Sequence, residues 1–286
     1  MGASPPSKQK GEIADSAQED IPMISMMNAP QPAAAAGVSN AGGGAGQFLE
    51  ELPIFHDLPR GALHALALSC HAVKFPAGRR IVSEGAAGTT TYLVRAGWAK
   101  RCRSTPGGGT ILFDVIGEGE MVGLASAVDS GPYMYTAMAL RDLDALAIPN
   151  RTLISLFGRF PEFWHEFSRL VAHDLRETTN RQVYMSGNVP ERLACAFERL
   201  ARSSGANGAP LRLPKLLSRQ EIAEMAGTTP ETAIRILSRW KKSGLLVTEK
   251  DAFVILNPSE LAELASHAGW KDPSLPAQTN GVELLH

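Results

Sequence analysis

Cysteine is scarce: Cys70, Cys102 and Cys195 are the three in a chain of 286 residues. An odd, scattered set argues against a disulfide scaffold and against a four-cysteine metal site, and it fits a reducing cytoplasm. An excess of either charge is missing too. Lys plus Arg number 28 against 29 for Asp plus Glu, a formal net charge of −1, which excludes a basic coat that binds nucleic acid over its whole surface. No run of about 18 apolar residues occurs, so no membrane span is expected. The stretch from Ile21 to Pro30 is too short and too bounded by proline for a signal sequence. A nucleophile–base pair, a P-loop and a G-x-S-x-G elbow are absent as well, and the Gly-rich run at 104–110 reads as a hairpin turn rather than a phosphate cradle. An enzyme is not expected.

What is present suffices for one or two cores, since 44% of the residues are hydrophobic. Residues 1–47, with PQPAAAAG and AGGGAG in succession, have little apolar surface to bury and read as a disordered arm. Its one apolar patch is Met23 to Met27. From Phe48 a short helical region leads into candidate strands at His71–Phe75, Arg80–Val82, Thr90–Arg95, Ala99–Arg103, Thr110–Ile116, Met134–Leu140 and Leu143–Ile148. Glycines punctuate these runs at turn spacing, which suggests an antiparallel jelly roll or small barrel over 48–160.

A long helix is expected over 161–187. Trp164, Ser168, Val171, Leu175, Thr178, Gln182 and Met185 recur in steps of four and three, a heptad seam suited to a second copy of the chain. Phe163, Phe167 and Leu170 lie beside that seam and can pack on the β domain. Val189 to Ser203 forms a further amphipathic helix.

The stretch from Ser218 to Ser243 then reads as two helices joined by a tight turn. Ser218 and Glu221 form a capping box, Gly227 ends the first helix, and Thr229 caps the second with Pro230 at its first position. Ala233, Ile236, Leu237 and Trp240 make an apolar stripe. The opposite face carries Glu231, Ile234, Arg235, Ser238, Arg239 and Lys242, residue types that match base edges in a major groove. Arg219, Thr229 and Thr232 complete the candidate DNA contacts. The segments Leu245–Thr248 and Phe253–Leu256 alternate around Glu249, Lys250 and Asp251 as a hairpin, giving a winged helix-turn-helix over 188–258, followed by a C-terminal tail over 259–286. The fold class is therefore α+β: β jelly roll, dimerisation helix, winged head.

This order of parts resembles the CRP/FNR family of bacterial transcription regulators over about Phe48 to Asn257. The most specific match is SRQEIAEMAGTTPETAIRILSRWKKSGLL. The resemblance implies a homodimer on a pseudo-palindromic DNA site, Glu231 and Arg235 as base readers, RNA polymerase as a partner and a small effector in the roll. Pro230 and Ile234 depart from the family's usual residues. Cyclic-nucleotide binders of the family carry a Glu for the ribose and an Arg-Ser pair for the phosphate. Here Leu124, after Gly123, stands at the first place and Tyr135 and Thr136 at the second, with Thr178 and Thr179 resembling the hydroxyls aimed at the base. These six are the candidate effector pocket, with a cyclic nucleotide disfavoured. No iron–sulfur cluster is expected, because the arm holds no cysteine. Heme stays open, although Cys70 and His71 point to opposite faces of a strand and at most one could ligate. Cys195 reads either as a redox switch or as inert packing.

Overall fold

The computed structural model describes residues 1–2, 38–40, 42–206 and 208–269. Strand β1 (Val38–Asn40) pairs antiparallel with β2 (His71–Phe75), and between them come α1 (Gly42–Glu50), a 3-10 turn at Pro53–Phe55 and α2 (Arg60–Ser69). This corrects the disordered arm expected over 1–47. A strand needs only backbone pairing, and α1 buries Ala45 and Leu49 completely, so a segment poor in apolar residues is held by the few it has. Residues 3–37 and 41, Met23 to Met27 included, lie outside the described residues.

Strands β3 (Arg80–Val82), β4 (Thr90–Ala96), β5 (Ala99–Ser104), β6 (Thr110–Ile116), β8 (Thr136–Ala139) and β9 (Leu143–Pro149) follow the expected runs, while the two-residue β7 (Met121–Val122) and α3 (Leu124–Asp129) were not expected and stand between β6 and β8. They form two antiparallel sheets, in the orders β1-β2-β9-β4-β7 and β3-β8-β5-β6. Val73, Phe75, Val94 and Ala145 of the first meet Ile81, Ala99, Ile116 and Ala137 of the second in one apolar core, the inward half of a period-two alternation. The β8 strand is shorter than the Met134–Leu140 run. Pro132 and Tyr133 are used instead to bridge back to Ala87 and Ala86. At Gly97 (φ 95°) a side chain would strike the Asp142 carbonyl at 2.3 Å, so the β4–β5 turn requires glycine.

Two helices close the roll, α4 (Asn150–Arg159) and α5 (Pro161–Tyr184). Phe163 and Phe167, both fully buried, stack with Phe55 and Phe157 and pin the first half of α5. Further along, Leu175 and Val183 are left 66% and 51% exposed.

The head starts with α6 (Val189–Ser203), opened by an Asn188–Glu191 capping box. It continues through β10 (Leu211–Pro214), α7 (Arg219–Met225), α8 (Pro230–Ser243), β11 (Leu246–Thr248), β12 (Ala252–Ile255) and α9 (Pro258–His267). Its small sheet has the order β10-β12-β11. The α9 helix corrects the tail expected over 259–286. Asn257 caps it, and Leu261 and Ala265 bury completely, with Ala268 one turn on, so the head extends to residue 269. Residues 270–286 lie outside the described residues. The apolar core of the head is continuous with Cys102, Leu112 and Val115 of the β5–β6 hairpin, so the head is seated on the roll.

Candidate nucleic-acid interface

The local signals around α7 and α8 produce the geometry they imply. Ser218 accepts from the Glu221 N–H at 3.2 Å while Glu221 accepts from the Ser218 N–H at 2.9 Å. Gly227 turns the chain at φ 59°, and Thr229 accepts from the Thr232 N–H at 3.3 Å. The first helix presents a fully buried Ala223, which lets α8 pack close against it. Ala233, Ile236 and Trp240 bury their side chains, and the Trp240 ring meets Phe197 edge-on at 5.9 Å. Leu237 is half-buried.

The opposite face of α8 is open. Glu231, Arg235, Ser238, Arg239, Lys241 and Lys242 are exposed, as are Arg219 and Thr229 at the approach. Thr232 and Ile234 are half-buried, so Ile234 offers less of its surface than the exposed residue the helical spacing suggests. The Ser238 hydroxyl donates to the Ile234 carbonyl at 2.8 Å. Two basic residues in the last turn, Lys241 and Lys242, face the partial negative charge of the helix C-terminus. Beside the wing, Arg212 of β10 pairs with Glu249 and Asp251 and offsets the acidic tip of that hairpin.

The candidate effector residues are only partly brought together. Gly123, Leu124 and Tyr135 meet where the Tyr135 hydroxyl accepts the Gly123 N–H at 3.0 Å. The Thr136 hydroxyl accepts the Glu84 N–H at 3.1 Å. Thr178 and Thr179 are exposed on α5, each donating to its own helix, to the carbonyls of Asp174 and Leu175. Thr178 borders a small cleft with Arg101, Phe113 and Tyr184. Burial pushes the Cys70 and Cys195 thiols up to about 12, so Cys195 packs as an inert residue against the Ala265 carbonyl. His71 is exposed on β2.

Sequence reasoning missed the charged cluster that joins roll, long helix and head. Arg101 on β5 pairs with Asp114 on β6 and with Asp174 on α5 at 2.8 Å. Arg199 on α6 reaches the same Asp114 at 2.7 Å and Glu177 on α5 at 2.8 Å, and Arg202 also grips Glu177. Burial alone would raise the Asp114 carboxyl, but the two guanidiniums outweigh it and hold it at about 2. Nearby, Arg181 donates to the Phe113 and Met225 carbonyls, and Lys100 on β5 pairs with Glu221 on α7 at 2.5 Å. A detectable signal existed: Asp114 is a lone carboxylate inside the apolar run ILFDVI, with Arg101 its direct cross-strand neighbour.

Glu120 borders this cluster and accepts the Gly117 N–H at 2.7 Å. Burial of the carboxyl, opposed by Arg199 and aided by Asp114, pushes it up to about 7. A carboxylic acid that holds its proton more tightly when folded loses stability as pH rises from its ordinary range through 7. Glu120→Gln is therefore expected to melt like the parent near pH 4 and to be more stable by up to about 3 kcal/mol at pH 8. Thermal melts at the two pH values check this, and identical curves at pH 8 would count against it.

Comparison with known proteins agrees with the division into roll and head. Residues 72–160 match the model of a cyclic nucleotide-binding domain, and residues 191–264 match that of a Crp-like helix-turn-helix domain. The CRP-like cAMP-activated global transcriptional regulator of Mycobacterium tuberculosis is 28% identical over 221 residues, 77% of this chain and 99% of that protein. The fumarate and nitrate reduction regulatory protein of Escherichia coli is 29% identical over 192 residues, 66% of this chain and 76% of that one. Among solved structures, FixK2 from Bradyrhizobium japonicum superposes with a TM-score of 0.62 at 20% identity, covering 68% of this chain and 96% of that one. No helix among the described residues is long and apolar enough to cross a membrane.

Proposed function

Because the chain belongs to the CRP/FNR family of transcription regulators, we propose that it binds a pseudo-palindromic DNA site as a homodimer and controls transcription from there. The observation that carries this reading is α8 itself. Its apolar stripe is anchored on Phe197 while Arg235, in the middle of the helix, stands open to solvent with Glu231 one turn before it. Arg235 can take guanine O6 and N7, Glu231 can accept from cytosine N4, and Ile234 can touch a thymine methyl. Arg219, Thr229, Thr232, Ser238, Arg239 and Lys242 then serve the phosphates and fix register.

The second copy joins through α5. Trp164, Leu175, Thr178 and Gln182 are exposed there and Val171 half-buried, and the apolar members of this seam bury against a partner helix. A two-fold axis along that seam presents two reading helices to successive major-groove faces roughly 34 Å apart. Operator affinity is set from the roll, through the way it holds α5 and the head, and RNA polymerase reads the result. Such a regulator works in the cytoplasm.

Selection from a randomised operator library tests the reading. Arg235→Ala is expected to cost about 1 to 3 kcal/mol and to relax base choice at one position per half-site. Lys241→Ala or Lys242→Ala should weaken every sequence alike and lower the slope of affinity against salt by about 1. Equal selection by wild type and Arg235→Ala refutes the proposed role of α8.

A further inference from the structure

The roll is filled at its α5 side by this chain's own polar groups. Tyr135 is only 7% exposed, and its hydroxyl takes the N–H of Gly123 at the turn into α3. Above its ring stands the Arg101 guanidinium, 5.2 Å from the centroid, a separation at which a cation is held by an aromatic face. Phe113 meets the same ring edge-on at 5.8 Å. Arg101 is itself bound to Asp114 and Asp174, and Asp114 is shared with Arg199. An unbroken run of contacts thus leads from the turn before α3, through Tyr135, Arg101 and Asp114, to α5 and to the first helix of the head.

A cyclic nucleotide, the ligand that names the domain model matched over 72–160, does not fit these residues. Its phosphodiester is an anion that needs charged or N–H donors. The Gly123 N–H is taken by Tyr135, the Thr136 oxygen already accepts from Glu84, and Arg101 is committed to two carboxylates. Leu124 offers no polar side-chain atom to a ribose hydroxyl. Entry would require expelling a buried phenol and breaking an enclosed ion pair, each a loss of several contacts at once.

We infer that Tyr135 and Arg101 are the resident filling of this side of the roll: phenol and guanidinium occupy the space between the turn before α3 and α5, join the roll to α5 and α6, and set the head for DNA without a cyclic nucleotide. Two side chains fixed by the fold replace a ligand that would have to bind. The arrangement of the head is then a property of the chain, altered by substitution along the run of contacts rather than by nucleotide concentration.

The test uses the full chain. Cyclic AMP or cyclic GMP at about 1 mM is expected to leave the melting temperature in place and operator affinity within about twofold. Tyr135→Ala is expected to weaken operator binding roughly 5- to 150-fold, the span of a typical coupling between sites. Adding phenol, the part of the side chain that alanine lacks, should restore binding in that variant and leave wild type unmoved. Tyr135→Phe keeps the ring and loses the bond to Gly123, so its affinity should fall between the two. A melting temperature raised by several degrees with either nucleotide overturns the inference. So does wild-type operator binding by both Tyr135 variants, or failure of phenol to restore Tyr135→Ala. If Tyr135→Ala does not fold, Tyr135→Phe and the nucleotide titration decide. The operator arm rests on the DNA-binding reading, whereas the melting arm does not, so a sample that binds no DNA sinks that reading while the melts still judge the filling.

Discussion

Replacing Asp114 by Asn is expected to lower the unfolding free energy by roughly 3 kcal/mol, the lower end of the cost of breaking a buried ion pair, because Arg101 keeps Asp174 and Arg199 keeps Glu177. Asp114 is 3% exposed, and the two guanidiniums it serves, on Arg101 and Arg199, are 6% and 7% exposed as residues. Asn keeps the shape but removes the charge, so two cations face each other across a neutral amide in a low-dielectric setting. Replacing Arg101, Asp114 and Arg199 together by Met, Leu and Met should cost far less, because an apolar trio needs no counter-charge. Urea unfolding of parent, single and triple variants separates these outcomes. A single variant as stable as the parent would falsify the account. The pH dependence has a definite sign. Asp114 is held at about 2, below its ordinary range, so its contribution is complete above that range and vanishes as pH falls toward 2. The gap between parent and Asp114→Asn should close over the same interval.

Trp240→Ala is expected to destabilise the head by about 3 to 5 kcal/mol, the usual cost of emptying a buried aromatic site. Trp240 is 5% exposed, and the Phe197 ring it touches also meets Phe253 at 5.3 Å. The loss removes the anchor that joins α6, α8 and the wing, so operator binding should disappear although no base-reading residue has changed. Trp240→Phe should retain most of the stability, since volume rather than the indole N–H is what the site uses. Limited proteolysis distinguishes the cases: the Ala variant should be cut within 211–257 and the Phe variant should resist. Wild-type DNA affinity in Trp240→Ala would show that α8 does not depend on its apolar stripe.

The parts of this molecule legible in the sequence are those whose causes are local. Ser218 and Glu221, Gly227, and Thr229 with Pro230 each act within one helical turn, so the turn between α7 and α8 could be read before any contact was known. The strands were legible because glycines mark their ends and side chains alternate between faces. What stayed hidden depends on distant pairing. Lys100 and Glu221 lie 121 positions apart, and Asp114 and Arg199 lie 85 apart, separations on which periodicity is silent. The α9 helix was missed although its stripe of Leu261, Leu264, Ala265 and Ala268 is regular, because the wing hairpin looked like the end of the head. The arm was misjudged for a different reason: average composition cannot show that Ala45 and Leu49, with Phe48 beside them, seat α1.

The last turn of α5 carries a mechanical consequence. A methyl group built on Gly227 would lie 2.4 Å from the Met185 methyl carbon, just past the end of the long helix. The turn between α7 and α8 therefore rests directly on the end of α5. A displacement of α5 at this end would reach that turn by direct contact, side chain against backbone, as well as through residues 186–188. The joint between α5 and the head is thus braced by a direct contact as well as by the chain that connects them.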